Sequence, residues 1–220
     1  MKKWVIFIGL MILISCFNSE NKSGNNSALY GYVNIKLPEI KGMIECRNHP
    51  KVQQNIQQYL ASGPVLGYYL NKDTYKQIDK LSEITFDNYF MIYGDYQREN
   101  YRASASDLEI AEKNLEETLF EGENFEQISS KVEEVYGTIT AGQPALLEKY
   151  FPQQNVRTMI ILIKYKNDTG EKSIVSAINF ILMKNRIVNL AYYMNYSEGK
   201  SIDILKEKNN EAISKFMKSN

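Results

Sequence analysis

Apolar residues first form one unbroken run, Trp4 to Ile14, and then almost vanish: Phe17 to Ser27 holds one apolar residue in eleven. Beyond that the pattern becomes periodic. Tyr32-Val33-Asn34-Ile35-Lys36-Leu37 alternates and predicts a strand ended by Pro38, which Gly42 to Glu45 extends or re-forms. Pro50 opens a predicted helix, with Val52, Ile56, Tyr59 and Leu60 at helical spacing up to Gly63. Pro64 to Leu70 and Asn88 to Tyr93 are strand-forming runs, and the polar interval from Asn71 to Ile84 predicts a loop with a helical turn. Ser106 to Glu109 has capping-box spacing, followed by a stripe of Leu108, Ala111, Leu115 and Leu119. A second helix is expected from about Phe125 to Tyr136, ending at Gly137, and Pro144 to Tyr150 is expected to add a helical turn or two.

The last third reads differently. Thr158 to Tyr165 and Ile174 to Leu182 are apolar at successive positions, as strands covered on both faces are. Asn167 to Gly170 predicts a turn between them, and Lys184-Asn185 a tight connection into Ile187 to Met194, giving a meander. A helix from about Ser201 closes the chain, with Ile202, Leu205, Ala212, Ile213 and Phe216 on one face. Six or so strands and three or four helices make an α+β domain, a mostly antiparallel sheet with helices on both faces. The expected organisation is a leader over 1–15, a lipidated Cys and flexible tether over 16–28, and one domain over 29–220. No internal repeat is visible.

Composition narrows the function classes. A chain of 220 residues, 44% apolar, is enough for one well-cored domain and too apolar for wholesale disorder. Lys and Arg (26) equal Asp and Glu (26), so the excess of positive charge that nucleic-acid binding needs is absent. One His and two Cys leave no zinc finger, iron–sulfur cluster or disulfide framework, and no cofactor is implied.

At the N-terminus, Lys2 and Lys3 precede an eleven-residue apolar run, too short to span ~30 Å of hydrocarbon and of signal-peptide length. Leu13-Ile14-Ser15-Cys16 resembles the bacterial lipobox. That resemblance implies diacylglycerol on the Cys16 thiol, cleavage before Cys16 and acylation of the new amine. Two or three acyl chains anchor stably where one would not. Phe17 is not the Asp that retains enterobacterial lipoproteins at the inner membrane, which points to the outer membrane. After cleavage, Cys46 is the one free thiol, so no intramolecular disulfide can form.

The order of elements resembles the PsbP-like fold, an α/β/α sandwich. The matching stretches are IKLPEIKGMIEC, PVLGYYL, NYFMIYGD, the meander from Arg157 to Tyr193 and the closing helix. Resemblance to this fold implies a docking protein more often than a catalyst, and the family has no shared catalytic motif to carry over.

Three stretches carry candidate chemistry. Cys46-Arg47-Asn48-His49 sets the free thiol three residues from the sole imidazole; this is either a thiolate–imidazolium pair or a buried Cys beside a turn His. Asp107 to Glu134 holds ten acids against two lysines, and Glu112, Glu116 and Glu123 are expected off the apolar helix face, where they would steer a cationic partner. From Arg157 onward eleven bases face six acids. Tyr93-Gly94-Asp95-Tyr96-Gln97-Arg98-Glu99-Asn100-Tyr101 interleaves Tyr with charge, and Tyr93, Tyr96, Arg98 and Tyr101 are candidate interface anchors. The expectation is a membrane-anchored, non-catalytic docking module of an envelope complex, with a protein partner and no metal. The alternatives are an immunity-type lipoprotein that neutralises a delivered toxin, and an envelope enzyme using Cys46 and His49.

Overall fold

The computed structural model of the protein describes residues 26–59, 63–80, 88–120, 140–167, 170–197 and 200–220. Cys16, Glu123 and the helix expected from Phe125 to Tyr136 lie outside the described residues. The chain begins with a hairpin of β1 (Ser27–Tyr30) and β2 (Val33–Lys36). Next come β3 (Met43–Glu45), α1 (Pro50–Tyr59), β4 (Val65–Asn71), α2 (Lys72–Lys76) and β5 (Tyr89–Tyr93). Then follow α3 (Ala105–Phe120), β6 (Thr140–Ala141), β7 (Ala145–Tyr150), β8 (Val156–Asn167), β9 (Gly170–Met183), β10 (Arg186–Asn195) and α4 (Lys200–Ser219).

Eight strands form one sheet in the order β3-β4-β5-β10-β9-β8, with β6 and β7 both paired to the outer side of β8. Every pairing is antiparallel. The expected meander is the central part of this sheet. Its β9–β10 connection is a two-residue turn in which Lys184 (φ 48°) and Asn185 (φ 57°) both sit left-handed, the geometry that matches the twist of flanking strands.

The apolar runs cover both faces, as their composition predicts. On one face Val175, Ala177 and Ile181 of β9 and Val188, Leu190 and Tyr192 of β10 pack beneath Leu205, Ala212, Ile213 and Phe216 of α4. Ala28, Tyr30 and Ile35 of the hairpin join that cluster. On the other face Met159, Ile161, Ile178, Phe180 and Ala191 pack under Leu108 of α3, while Cys46, Val52, Tyr68 and Tyr89 form a neighbouring cluster beside α1. Burial of each Leu, Ile or Phe contributes about 1.5–3 kcal/mol.

One buried polar seam fixes how α4 sits. Asn179 of β9 and Asn209 of α4 have no exposed surface and exchange two hydrogen bonds, Asn179 Nδ2 to Asn209 Oδ1 at 2.7 Å and Asn209 Nδ2 to Asn179 Oδ1 at 3.0 Å. The Thr158 hydroxyl donates to Asn179 Oδ1, and Asn179 Nδ2 donates to the Leu190 carbonyl, both at 2.7 Å. Sliding α4 by one residue would leave these groups unpaired in the core, at about 1–3 kcal/mol each.

Four details differ from the sequence reading. Ser27 and Ala28, placed in the tether, pair with Lys36 and Ile35, and Ala28 is buried. Ten strands are described rather than six or so. The helix expected over Pro144–Tyr150 is strand β7 from Ala145, because pairing with β8 satisfies its backbone as a lone helical turn cannot. The α3 cap is Ser104, two residues early: its N–H and hydroxyl donate to Asp107 Oδ2 at 2.7 and 2.6 Å.

Candidate functional site

Where β5 ends, residues 94–103 cross the end of the sheet and enter α3, and β1, the start of β10 and α3 hold them there. The Tyr30 hydroxyl donates to the Asp95 carbonyl at 3.1 Å and accepts from the Asp95 N–H at 2.9 Å. A Cβ on Gly94 would lie 2.2 Å from the Tyr30 ring, so this contact requires glycine. Asp95 Oδ1 accepts the Gln97 N–H, and two successive turns follow, Arg98 N–H to Asp95 O and Tyr101 N–H to Arg98 O. The buried Arg186 guanidinium donates from Nη1 to the carbonyls of Tyr101 (3.0 Å) and Asn185 (2.9 Å), and the Ala103 N–H bonds the Asn185 carbonyl. Finally the Tyr101 hydroxyl donates to Asp107 Oδ1 at 3.1 Å. Hydrogen bonds from Ser104 hold the Asp107 carboxyl below its usual range, and the bond to Asp107 raises the Tyr101 phenol.

This frame presents Tyr96 (56% exposed) and Tyr101 (51% exposed) to solvent, with the half-buried Arg98 between them, its Nε 3.7 Å from Asp95. Next to it, a cleft of about 480 Å³ runs between the first turn of α3 and the β7–β8 connection, lined by Ala105, Leu108, Val156, Arg157 and Phe151. Phe151 stands at its mouth, 64% exposed, with the Arg157 guanidinium over its ring at 5.0 Å. Two exposed tyrosines, a phenylalanine and two arginines therefore share one end of the molecule. Tyr93 does not belong with them. It lies on β5, packs against the cluster beneath α3, and burial pushes its phenol well up.

The acids of α3 sit differently from expectation. Glu112 is only 7% exposed, and its Oε2 accepts from Arg157 Nη1 at 2.9 Å while Lys149 lies 3.7 Å away. It falls between Leu108 and Leu115 on the inner stripe, so it is a buried member of an ion-pair cluster and not a solvated steering charge. Glu116 pairs with Lys149 at 2.5 Å, and Glu109 with Arg157 at 3.6 Å. Within α3 five acids face Lys113; with Lys149 and Arg157 added, two negative charges remain. The field of this face is thus mostly compensated locally. Where Glu123 sits lies outside the described residues.

Cys46 and His49 lie at opposite ends of the turn that enters α1, joined by the His49 N–H to Cys46 carbonyl bond at 2.9 Å. The thiol is buried and points to the Tyr68 carbonyl, 3.4 Å from its Sγ, and burial pushes it up to about 12. His49 Nε2 faces Asp79 at 3.5 Å, and its buried Nδ1 has no hydrogen-bond partner among the described residues. The geometry therefore gives a protonated thiol bonded to backbone rather than a thiolate–imidazolium pair. Among the described residues no group of three His, Cys, Asp or Glu side chains has the arrangement to hold a metal ion, and no helix is long and apolar enough to cross a membrane.

Three residues important to this surface escaped the sequence pattern: Tyr30, Arg186 and Phe151. Gly31 between Tyr30 and Tyr32 was the available signal for the hairpin, and Phe151-Pro152 that for an exposed aromatic turn. Nothing local marks Arg186, which acts on a carbonyl 85 residues away. Comparison with protein-family models, curated proteins and solved structures finds no match.

Proposed function

We propose that the protein is a lipid-anchored, non-catalytic docking module of a bacterial envelope complex, attached through Cys16 and sorted to the outer membrane, and that it grips a protein partner with the surface built on residues 94–103. The observation that carries this reading is the pre-ordering of exposed aromatic and arginine side chains on a backbone tied to β1, β10 and α3. Exposed Tyr and Arg are the side chains enriched in interface cores. Holding them in place beforehand lowers the ordering entropy lost on binding. The cleft beside Phe151 offers an apolar seat, presented by the exposed Ala105 and Phe151, for one side chain of the partner. The sheet with helices on both faces is compatible with a PsbP-like sandwich, whose known members mostly dock rather than catalyse. The buried, backbone-bonded thiol of Cys46 supports the non-catalytic reading over one that uses Cys46 and His49.

The test is quantitative affinity capture from the source envelope, with the lipidated protein and its Tyr96→Ala/Tyr101→Ala variant compared. The wild type should enrich a defined partner, and the variant should retain less than a tenth of it at equal loading. Equal enrichment by both would remove residues 94–103 from the docking surface.

A further inference from the structure

The outer face of the β1–β2 hairpin is polar and apolar in a particular way. Ala28, Tyr30 and Ile35 point inward, which leaves Leu29, Asn34 and Lys36 facing out and Tyr32 at the turn. Leu29 is 72% and Tyr32 88% exposed, the two most exposed large apolar side chains among the described residues. Lysines stand along the hairpin's edge and at its open end, while its turn packs against the backbone of Glu99. Lys184 reaches across from the β9–β10 turn and donates to the Asn34 carbonyl at 2.9 Å. Lys36 and Lys218 share a cleft with Asn26 at the open end of the hairpin. Among the described residues, Lys36, Lys184 and Lys218 have no carboxylate within 4 Å. A Tyr, a Leu and uncompensated lysines on one exposed ribbon suit a membrane–water interface, where the rings sit at headgroup level and the ammonium groups meet phosphate.

Chain length picks the occupant. Asn26 is joined to Cys16 by ten residue steps, which span at most about 36 Å. That is about one diameter of a domain with a radius of gyration near 16 Å. A chain acylated at Cys16 therefore holds the domain within about one diameter of the bilayer, attached through the hairpin. The charge and apolar surface of the hairpin then select the side that faces the lipid. We infer that the outer face of the β1–β2 hairpin, through Leu29, Tyr32, Lys36, Lys184 and Lys218, lies against an anionic phospholipid surface. This inference rests on the lipoprotein reading. It leaves α3 and its cleft, on the opposite face of the sheet, open to a partner. Each lysine near an anionic surface favours contact by roughly five-fold, so two of them set the orientation once the acyl chains hold the domain nearby.

The experiment uses the full lipoprotein in phosphatidylcholine vesicles with one quarter phosphatidylglycerol, and in phosphatidylcholine alone. An environment-sensitive fluorophore is placed at Asn34→Cys, on the hairpin's outer face, or at Asn114→Cys, on exposed α3; Cys46 is buried and does not compete for label. With spin-labelled lipid, quenching at position 34 should be at least three-fold stronger than at 114 in the anionic vesicles. Lys36→Glu/Lys218→Glu, or 0.5 M salt, should reduce it to the level at 114. Equal quenching at both positions overturns the inference, as does quenching indifferent to charge reversal. So does shielding of position 34 that needs added envelope protein rather than lipid. Intact mass separates the two readings: a chain without acyl groups removes the lipoprotein reading and this inference together, whereas an acylated chain that fails the quenching contrast removes the inference alone.

Discussion

Replacing Glu112 with Ala should destabilise the domain by about 2 kcal/mol, because the structure makes this acid a packed ion-pair partner. The substitution removes a charged hydrogen bond of 2.9 Å from Arg157, of a kind that contributes about 1.5–3 kcal/mol. It also removes the 3.7 Å contact to Lys149, which is partly exposed and adds about 0.5 kcal/mol. The loss stays below the ~3–5 kcal/mol of a fully buried broken pair, because Arg157 retains Glu109 and the Phe151 ring and remains in reach of water. Glu116→Ala, at a half-buried position whose one partner among the described residues is Lys149, should cost less than about 1 kcal/mol. Urea unfolding followed by circular dichroism, on protein expressed from Phe17 onward, measures both. A double-mutant cycle with Arg157→Ala should return a coupling of about 1–2 kcal/mol. A Glu112→Ala loss under about 0.5 kcal/mol, or one equal to that of Glu116→Ala, would mean that the Glu112 carboxylate is hydrated and that the cluster does not stabilise the α3–β8 packing.

Alkaline stability gives a second test. Burial raises Cys46 and Tyr193 to about 12 and raises Tyr69, Tyr93 and Tyr192 as well, whereas in the unfolded chain such groups ionise near 8.5–10. Above about pH 8.5 for Cys46 and about pH 10 for the tyrosines, the unfolded state thus holds fewer protons than the native one. Stability, complete below those values, should fall by about 1.4 kcal/mol per pH unit for each group that has passed its unfolded pKa. Phenolate absorbance should show a set of tyrosines that ionises only as circular dichroism is lost; full titration near pH 10 in a folded protein would contradict this. A thiol reagent at pH 8 should label Cys46 in urea and leave the native chain unlabelled over the same period, while rapid native labelling would expose a reactive thiolate. Cys16→Ala should release the protein from membranes in a high-salt wash, and retention would reveal another anchor.

The elements that pack on both faces were legible because their signal is local. Ile174 to Leu182 and the stripe Leu205, Ala212, Ile213 and Phe216 show their periodicity within one element, and the α+β class with helices on both faces follows from them. Ala145 to Tyr150 did not show it, since Leu146 and Leu147 are adjacent and Ala, Leu, Glu and Lys favour helix; hydrogen bonds to β8 outweigh that preference. The two serines at 104 and 106 each have an acid three residues on. The Ala103–Asn185 bond and the Arg186 clamp on Tyr101 fix where the chain turns, and so select Ser104. Glu112 was misplaced for a similar reason. Its spacing of four from Leu108 put it on the inner stripe, but the bases that make burial tolerable, Lys149 and Arg157, stand 37 and 45 residues later on β7 and β8. Of the proposed docking surface, Tyr96, Arg98 and Tyr101 could be read from composition. The frame that orders them is long-range and could not.

The most direct test of a docking role for residues 94–103 is site-specific photocrosslinking in the source cells, with benzoylphenylalanine at Tyr96 and, as control, at the exposed Gln54 of α1. A discrete adduct of higher mass should form from position 96, be absent from position 54, and fade when Tyr101→Ala is added. No adduct from position 96, or the same adducts from both positions, would contradict a partner bound at this end of the sheet.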